Sequence, residues 1–121
     1  MKVILIMGLP GSGKTTFAKR VQSLLPNSVL INADNIRTLY NDWDFSIEGR
    51  LRQAYRMRDL ADQHKNNIII DMVCPLPEMR NIINADIVVW MDTIQSGRFE
   101  DTNKLFVQPK NYDYRISNLT D

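Results

Sequence analysis

The chain has 121 residues, 44% of them hydrophobic and 24% charged, a composition that fits one soluble globular domain and excludes a disordered or collagen-like chain. Fifteen basic against fourteen acidic residues leave a net charge of +1, so no overall field draws the protein onto nucleic acid or an anionic membrane. The single cysteine, Cys74, excludes an internal disulfide, and with no Cys or His neighbour at ligand spacing it excludes a zinc site.

In chain order, Lys2 to Met7 is a short aliphatic run of the kind expected for a strand buried on both faces of a parallel sheet. It is too short to span a bilayer and leads into a glycine-rich loop instead of a cleavage site, so the expected compartment is the cytoplasm, with no membrane partner. Thr15 to Leu25 places Phe17, Ala18, Val21, Leu24 and Leu25 on one helical face, and Pro26 ends it. Ser28 to Ile31 reads as a second strand. Asp34 stands where its carboxylate would cap a short helix running to Tyr40. Trp43, Asp44 and Phe45 form a turn, and Ser46 caps a longer helix reaching about His64, with Ile47, Leu51, Ala54, Tyr55, Leu60 and Ala61 as its expected buried positions. Arg52, Arg56 and Arg58 read as its solvated face.

Asn66 and Asn67 break the chain before a third strand, Ile68 to Asp71. Pro75 to Ile83 is a short crossover to a fourth strand, Ala85 to Met91. Beyond Asp92 the pattern weakens: Gly97 to Lys110 reads as a polar surface segment followed by an irregular tail. Strands alternating with helices define an α/β class with a parallel sheet of four to five strands flanked by helices. The expected organisation is one domain over residues 1–121, with a lid-like segment at about 93–110 and no internal repeat.

Gly8-Leu9-Pro10-Gly11-Ser12-Gly13-Lys14-Thr15 matches G-x-x-x-x-G-K-[ST] without departure, between a predicted strand and a predicted helix, which points to a P-loop NTPase fold. Gly8, Gly11 and Gly13 permit backbone angles that turn successive N–H groups, Ser12 among them, around phosphate oxygens. The helix N-terminus adds partial positive charge and Lys14 a mobile ammonium. The Thr15 hydroxyl suits magnesium, and Thr16 faces the α-phosphate side. The implied ligands are ATP and Mg2+. Asp71 ends its strand at the position from which a carboxylate holds magnesium directly or through water. Asn103-Lys104-Leu105-Phe106 superficially resembles a guanine-reading N-K-x-D, but Phe106 replaces the base-reading carboxylate. Asp34, Arg37, Phe45 and Arg50 follow the second strand, placing a carboxylate and two guanidiniums at the ligand-facing side of the sheet. Arg98 and Lys104 are candidate lid cations for charge on a transferred phosphoryl group.

These segments resemble adenylylsulfate (APS) kinases, which phosphorylate the 3′-hydroxyl of adenosine 5′-phosphosulfate. Gly8 to Thr16 is similar to that family's phosphate loop, Asn32 to Arg37 to its D-G-D-N-[VI]-R, and Phe45 to Arg50 to its G-F-S-x-x-D-R. Val73-Cys74-Pro75 is similar to its I-S-P, and Arg98 to Phe106 distantly to its lid. Lys14 is expected to be catalytic from its place in the loop, and the resemblance implies the same of Asp34, orienting or deprotonating the attacking hydroxyl. Arg37 and Arg50 would hold the phosphosulfate and Phe45 would stack on the acceptor adenine. Gln53 replaces an asparagine near it, and Val73, Cys74 and Pro75 complete the acceptor wall. Ala33, Gly49 and Pro77 depart from the pattern, and the segment after Pro75 is shortened. The expected partner is a small nucleotide acceptor. A nucleotide or nucleic-acid 5′-hydroxyl kinase of the same fold, a non-catalytic ATP-binding module and a homodimer stay open.

Overall fold

The computed structural model describes residues 2–97 and 99–118. Ten elements follow one another: β1 (Val3–Met7), α1 (Lys14–Leu24), β2 (Ser28–Asn32), α2 (Ala33–Tyr40), α3 (Ile47–Asp62), β3 (Asn67–Asp71), α4 (Pro77–Ile83), β4 (Ile87–Met91), α5 (Glu100–Leu105) and β5 (Tyr114–Ile116). The five strands form one parallel sheet in the order β2-β3-β1-β4-β5. Every strand therefore points its carboxyl end the same way, and the loops leaving those ends gather on one rim.

Alternation along the strands splits the core into two layers. Val3, Leu5 and Met7 of β1, Ile68 and Ile70 of β3 and Trp90 of β4 face α3 and α4 with Ala54, Met57, Met79 and Ile83. Ile4, Ile6, Ile69, Val89 and Met91 face the other way, against Ala18, Phe17 and Val21 of α1 and Leu25 just beyond it. Burying a side chain of this size contributes about 1.5–3 kcal/mol, so the central strands anchor the fold. The expected apolar face of α1 holds except at Leu24, which is 81% exposed beside the helix end.

Three expectations are corrected. The cap of α2 is Asn32, whose Oδ1 accepts the Asn35 amide at 3.0 Å; Asp34 lies inside the first turn. Asn and Asp cap equally well, so the competition is decided by where the strand ends. In α3, Ile47 and Tyr55 are exposed, and the buried line is Arg50, Gln53, Ala54, Met57 and Ala61. Its spacing is helical, but two of its members are polar because this face lines a cavity. Arg52, Arg56 and Arg58 are paired, to Asp42 and Asp44, to Asp42, and to Asp62 respectively.

Residues beyond Asp92 are more ordered than their composition implied. α5 buries Thr102, and Leu105 and the following Phe106, both partly buried, pack against the core. The tail forms β5, which aligns Tyr114, Arg115 and Ile116 with Val89, Trp90 and Met91. Arg115 fixes it through Asp92 (2.9 and 2.6 Å), and the Tyr112 ring lies 5.5 Å from that of Trp90. Among the described residues no helix is long and apolar enough to cross a membrane.

Candidate active site

The loop between β1 and α1 turns back on itself through the Ser12 amide, which donates to the Leu9 carbonyl at 3.1 Å. Gly11 and Gly13 take left-handed angles, φ +87° and +95°, that a side chain would strain. At Gly8 the demand is closeness: a Cβ there would stand 2.6 Å from the Met91 carbonyl at the end of β4. Thr93 ties the loop from the same side, its hydroxyl donating to the Ser12 carbonyl at 2.7 Å. The Ser12 hydroxyl is fully buried and makes no hydrogen bond. The Lys14 ammonium donates to the Leu9 carbonyl at 3.1 Å and is 8% exposed.

A cavity of about 750 Å³ opens on this loop, within the usual range for small-molecule sites. Gly11, Gly13, Lys14, Thr15 and Thr16 line it, together with Asp71 from the end of β3. Asp34, Arg37, Phe45, Arg50, Gln53, Val73, Cys74 and Pro75, all expected on the acceptor side, line the same cavity. Trp43, Phe99, Asp101 and Thr102 join them, the last three from the segment read as a polar surface stretch. Gly8 and Ser12 lie behind the lining. Lys104 is exposed in the last turn of α5 and does not reach the cavity. Arg98 lies outside the described residues.

Asp71 is 2% exposed, and its Oδ2 accepts two hydrogen bonds, from the Thr15 hydroxyl at 2.7 Å and from the Asn32 carboxamide at 2.8 Å. Thr15 and Asp71 thus meet on the floor of the cavity, the hydroxyl and carboxylate that a nucleotide-bound magnesium takes from this type of loop. These residues fit the ion. Among the described residues no cluster of three or more His, Cys, Asp or Glu side chains is built to hold a metal alone, and a magnesium ligated mainly by phosphate and water does not need one.

Arg37 and Arg50 are 5% and 4% exposed. Arg37 donates to the Asp42 and Asp44 carbonyls (3.1 and 3.4 Å) and stacks over Phe45 at 4.4 Å. Arg50 donates to the Phe45 carbonyl at 2.8 Å and reaches Thr102 at 3.5 Å and Asp101 at 3.8 Å. Burial pulls both guanidinium pKa values down, yet arginine stays cationic, so this wall carries two buried positive charges held largely by neutral acceptors, the chemistry that suits an anion. The Gln53 amide is engaged with the Ala33 carbonyl at 3.0 Å and with Arg56 at 3.2 Å.

Cys74 adopts a left-handed φ of +53° directly before a proline, a position that ordinarily favours extended backbone. Arg80 holds it there, donating to the carbonyls of Cys74 (3.1 Å), Pro75 (3.2 Å) and Val107. Burial pushes the thiol up to about 12, so Cys74 is an inert wall at neutral pH. Sequence reasoning missed Asn32, Arg80 and Thr102. The tie of Asn32 spans 39 residues of chain and that of Thr102 to Arg50 spans 52, separations that leave no local pattern.

A parallel sheet whose first strand feeds a phosphate loop, with two buried guanidiniums on the same cavity, is the fold of the P-loop kinases. The profile described as AAA domain matches residues 3–74, more than half of the chain, and the chain belongs to that family. It is 34% identical over 89 residues to the probable adenylyl-sulfate kinase of Aeropyrum pernix, a match covering 67% of this chain; the chain spans about half the length (49%) of that curated relative. The fold is shared with the APS kinase CysC of Mycobacterium tuberculosis in complex with AMPPNP and APS: TM-score 0.73 at 21% identity, over 95% of this chain and 87% of that one. A gluconokinase from Sinorhizobium meliloti shares it at TM-score 0.66 and 13% identity, over 95% and 80% of the two chains. The resemblance to APS kinases read from the motifs is thus met again in both sequence and fold comparisons.

Proposed function

We propose that the protein is an ATP-dependent kinase that transfers the γ-phosphoryl group to a hydroxyl of a small nucleotide-like acceptor, adenosine 5′-phosphosulfate first among the candidates. One observation carries the reading: a single cavity is lined both by the phosphate loop and by Asp34, Phe45 and the two buried arginines. A kinase needs donor and acceptor in one enclosed space, because holding the reacting oxygens in line supplies much of the rate.

The loop amides and Lys14 bind the triphosphate, and Lys14 offsets charge spreading over the transferred group. Thr15 and Asp71 would hold a magnesium ion that arrives with the nucleotide, and such an ion would offset phosphate charge there. Arg37 and Arg50 hold the anionic end of the acceptor, and Phe45 stacks on its flat part. Asp34 is not used as a cap, so its carboxylate remains to orient the acceptor hydroxyl and take its proton. The acceptor oxygen forms a bond to the γ-phosphorus as the bond to the β–γ bridging oxygen breaks, and ADP leaves.

Radiolabelled ATP with a panel of adenylylsulfate, nucleoside monophosphates and a 5′-hydroxyl oligonucleotide tests this. Saturable labelling of adenylylsulfate is expected, and in Asp34→Asn it should fall about a hundredfold while ATP affinity stays within about twofold. Labelling of the oligonucleotide instead would reassign the acceptor, and ATP binding without labelling of any acceptor would leave a non-catalytic module.

A further inference from the structure

Asn32 and Asp71 are the last residues of two adjacent parallel strands, and the register pairs them with each other. Their side chains meet: the Asn32 carboxamide donates to Asp71 Oδ2 at 2.8 Å, beside the Thr15 hydroxyl at 2.7 Å. A carboxylate that is 2% exposed and rests on two neutral donors has its rotamer set by them. Both donors take Oδ2, and Asp71 lines the cavity. Asn32 also uses its own Oδ1 to cap α2, which locks the orientation of its amide: the oxygen is held by the Asn35 amide, and the NH2 group can then point only at Asp71.

We propose that Asn32 is the positioning residue of the metal floor: it aims Asp71 for a nucleotide-bound magnesium and anchors α2, which carries Asp34 and Arg37, to the same carboxylate. The strand pair thus presents one carboxylate to the cavity, that of Asp71, on the strand next to β1. This rests on the nucleotide site proposed above but not on the identity of the acceptor.

The test is ATP affinity by calorimetry with and without magnesium, the ratio of the two being the metal-dependent gain. Asn32→Ser keeps a capping oxygen but is too short to reach Asp71. It should leave metal-free ATP affinity within about twofold and cut the gain by about tenfold, the lower end of what loss of a partner behind a ligand costs. Asp71→Asn should abolish the gain. An undiminished gain in Asn32→Ser shows a helix cap only and overturns the proposal. If Asn32→Ser does not fold, Asn32→Thr, which also keeps a capping oxygen and is also too short to reach Asp71, decides by the same readout. Wild-type protein that binds no ATP in either buffer would instead sink the proposed function.

Discussion

Lys14 is nearly buried, with its ammonium on the Leu9 carbonyl of its own loop. A backbone carbonyl of the same loop thus holds the ammonium at the cavity that the loop lines. Lys14→Ala should lower phosphoryl transfer by about a hundredfold or more, measured as steady-state turnover, with the melting temperature close to that of the wild type. The phosphate loop was legible in the sequence because its motif encodes backbone angles, and Gly11 and Gly13 take the left-handed values that the motif requires. Asp34 and Asn32 show the opposite. Both precede one helix, both residue types cap, and only the end of β2 decides that Asn32 is used. Arg37 and Arg50 were legible as a chemistry, two planar forks after the second strand, but their burial was not, since it depends on Phe45 and Thr102.

The turn between α2 and α3 carries Trp43 and Phe45 into the cavity, and a cluster of ion pairs shapes it. Arg52 binds Asp42 (2.9 and 3.0 Å) and Asp44 (3.1 Å), while Arg56 binds Asp42 (3.2 Å) and stacks over Tyr40. Gly49 fits only because it lacks a side chain: a Cβ there would stand 2.2 Å from the Asp44 carbonyl, which accounts for glycine where the resembling family has an acid. The Arg52 hydrogen bond, with the Asp44 amide and Arg56 behind it, holds the Asp42 carboxyl far below the usual carboxylate range. A depressed native value means that the stabilisation is complete above the unfolded-state pKa near 4 and drains away as pH falls from there toward the native value. Arg52→Ala should accordingly melt below the wild type at neutral pH, and the gap should narrow steadily as the buffer is taken below pH 4. Thermal scans at several ionic strengths check the cause, since salt shrinks the gap of an exposed pair in the same direction. α3 was legible as a helix but not in its phase: polar Arg50 and Gln53 lie on its buried face, and counting apolar residues brought Ile47 and Tyr55 inward instead.

Across the whole molecule the strand order β2-β3-β1-β4-β5 makes the phosphate loop depend on the end of the chain. The first four strands were legible because each contains an aliphatic run. β5 was not, because three residues on a sheet edge with two of them exposed leave no periodicity to read. Yet β5 is what covers β4: Asp113 caps the strand through the Val88 amide and carbonyl (2.8 and 2.9 Å), Ile116 accepts the Asp92 amide at 2.8 Å, and Tyr112 shields Trp90. The carboxyl end of β4 in turn supports the loop, Met91 leaving no room for a side chain at Gly8 and Thr93, two residues on, holding Ser12. A chain ended after Asn111 would lose these bonds, uncover Trp90 and expose a sheet edge that pairs with other chains. Partial exposure of an indole and loss of several net hydrogen bonds together amount to about 3 kcal/mol or more, a large share of a typical domain's stability. Urea titration should show the midpoint falling accordingly, and calorimetry should show ATP binding weakened in the same protein, though no residue removed lines the cavity. Arg115→Ala separates the two effects: it breaks one exposed pair and a stack over Trp90 and should lower the unfolding free energy by no more than about 1–2 kcal/mol while leaving ATP affinity unchanged. Full ATP affinity in the shortened chain would mean that Met91 and Thr93 hold the loop without help from the edge strand.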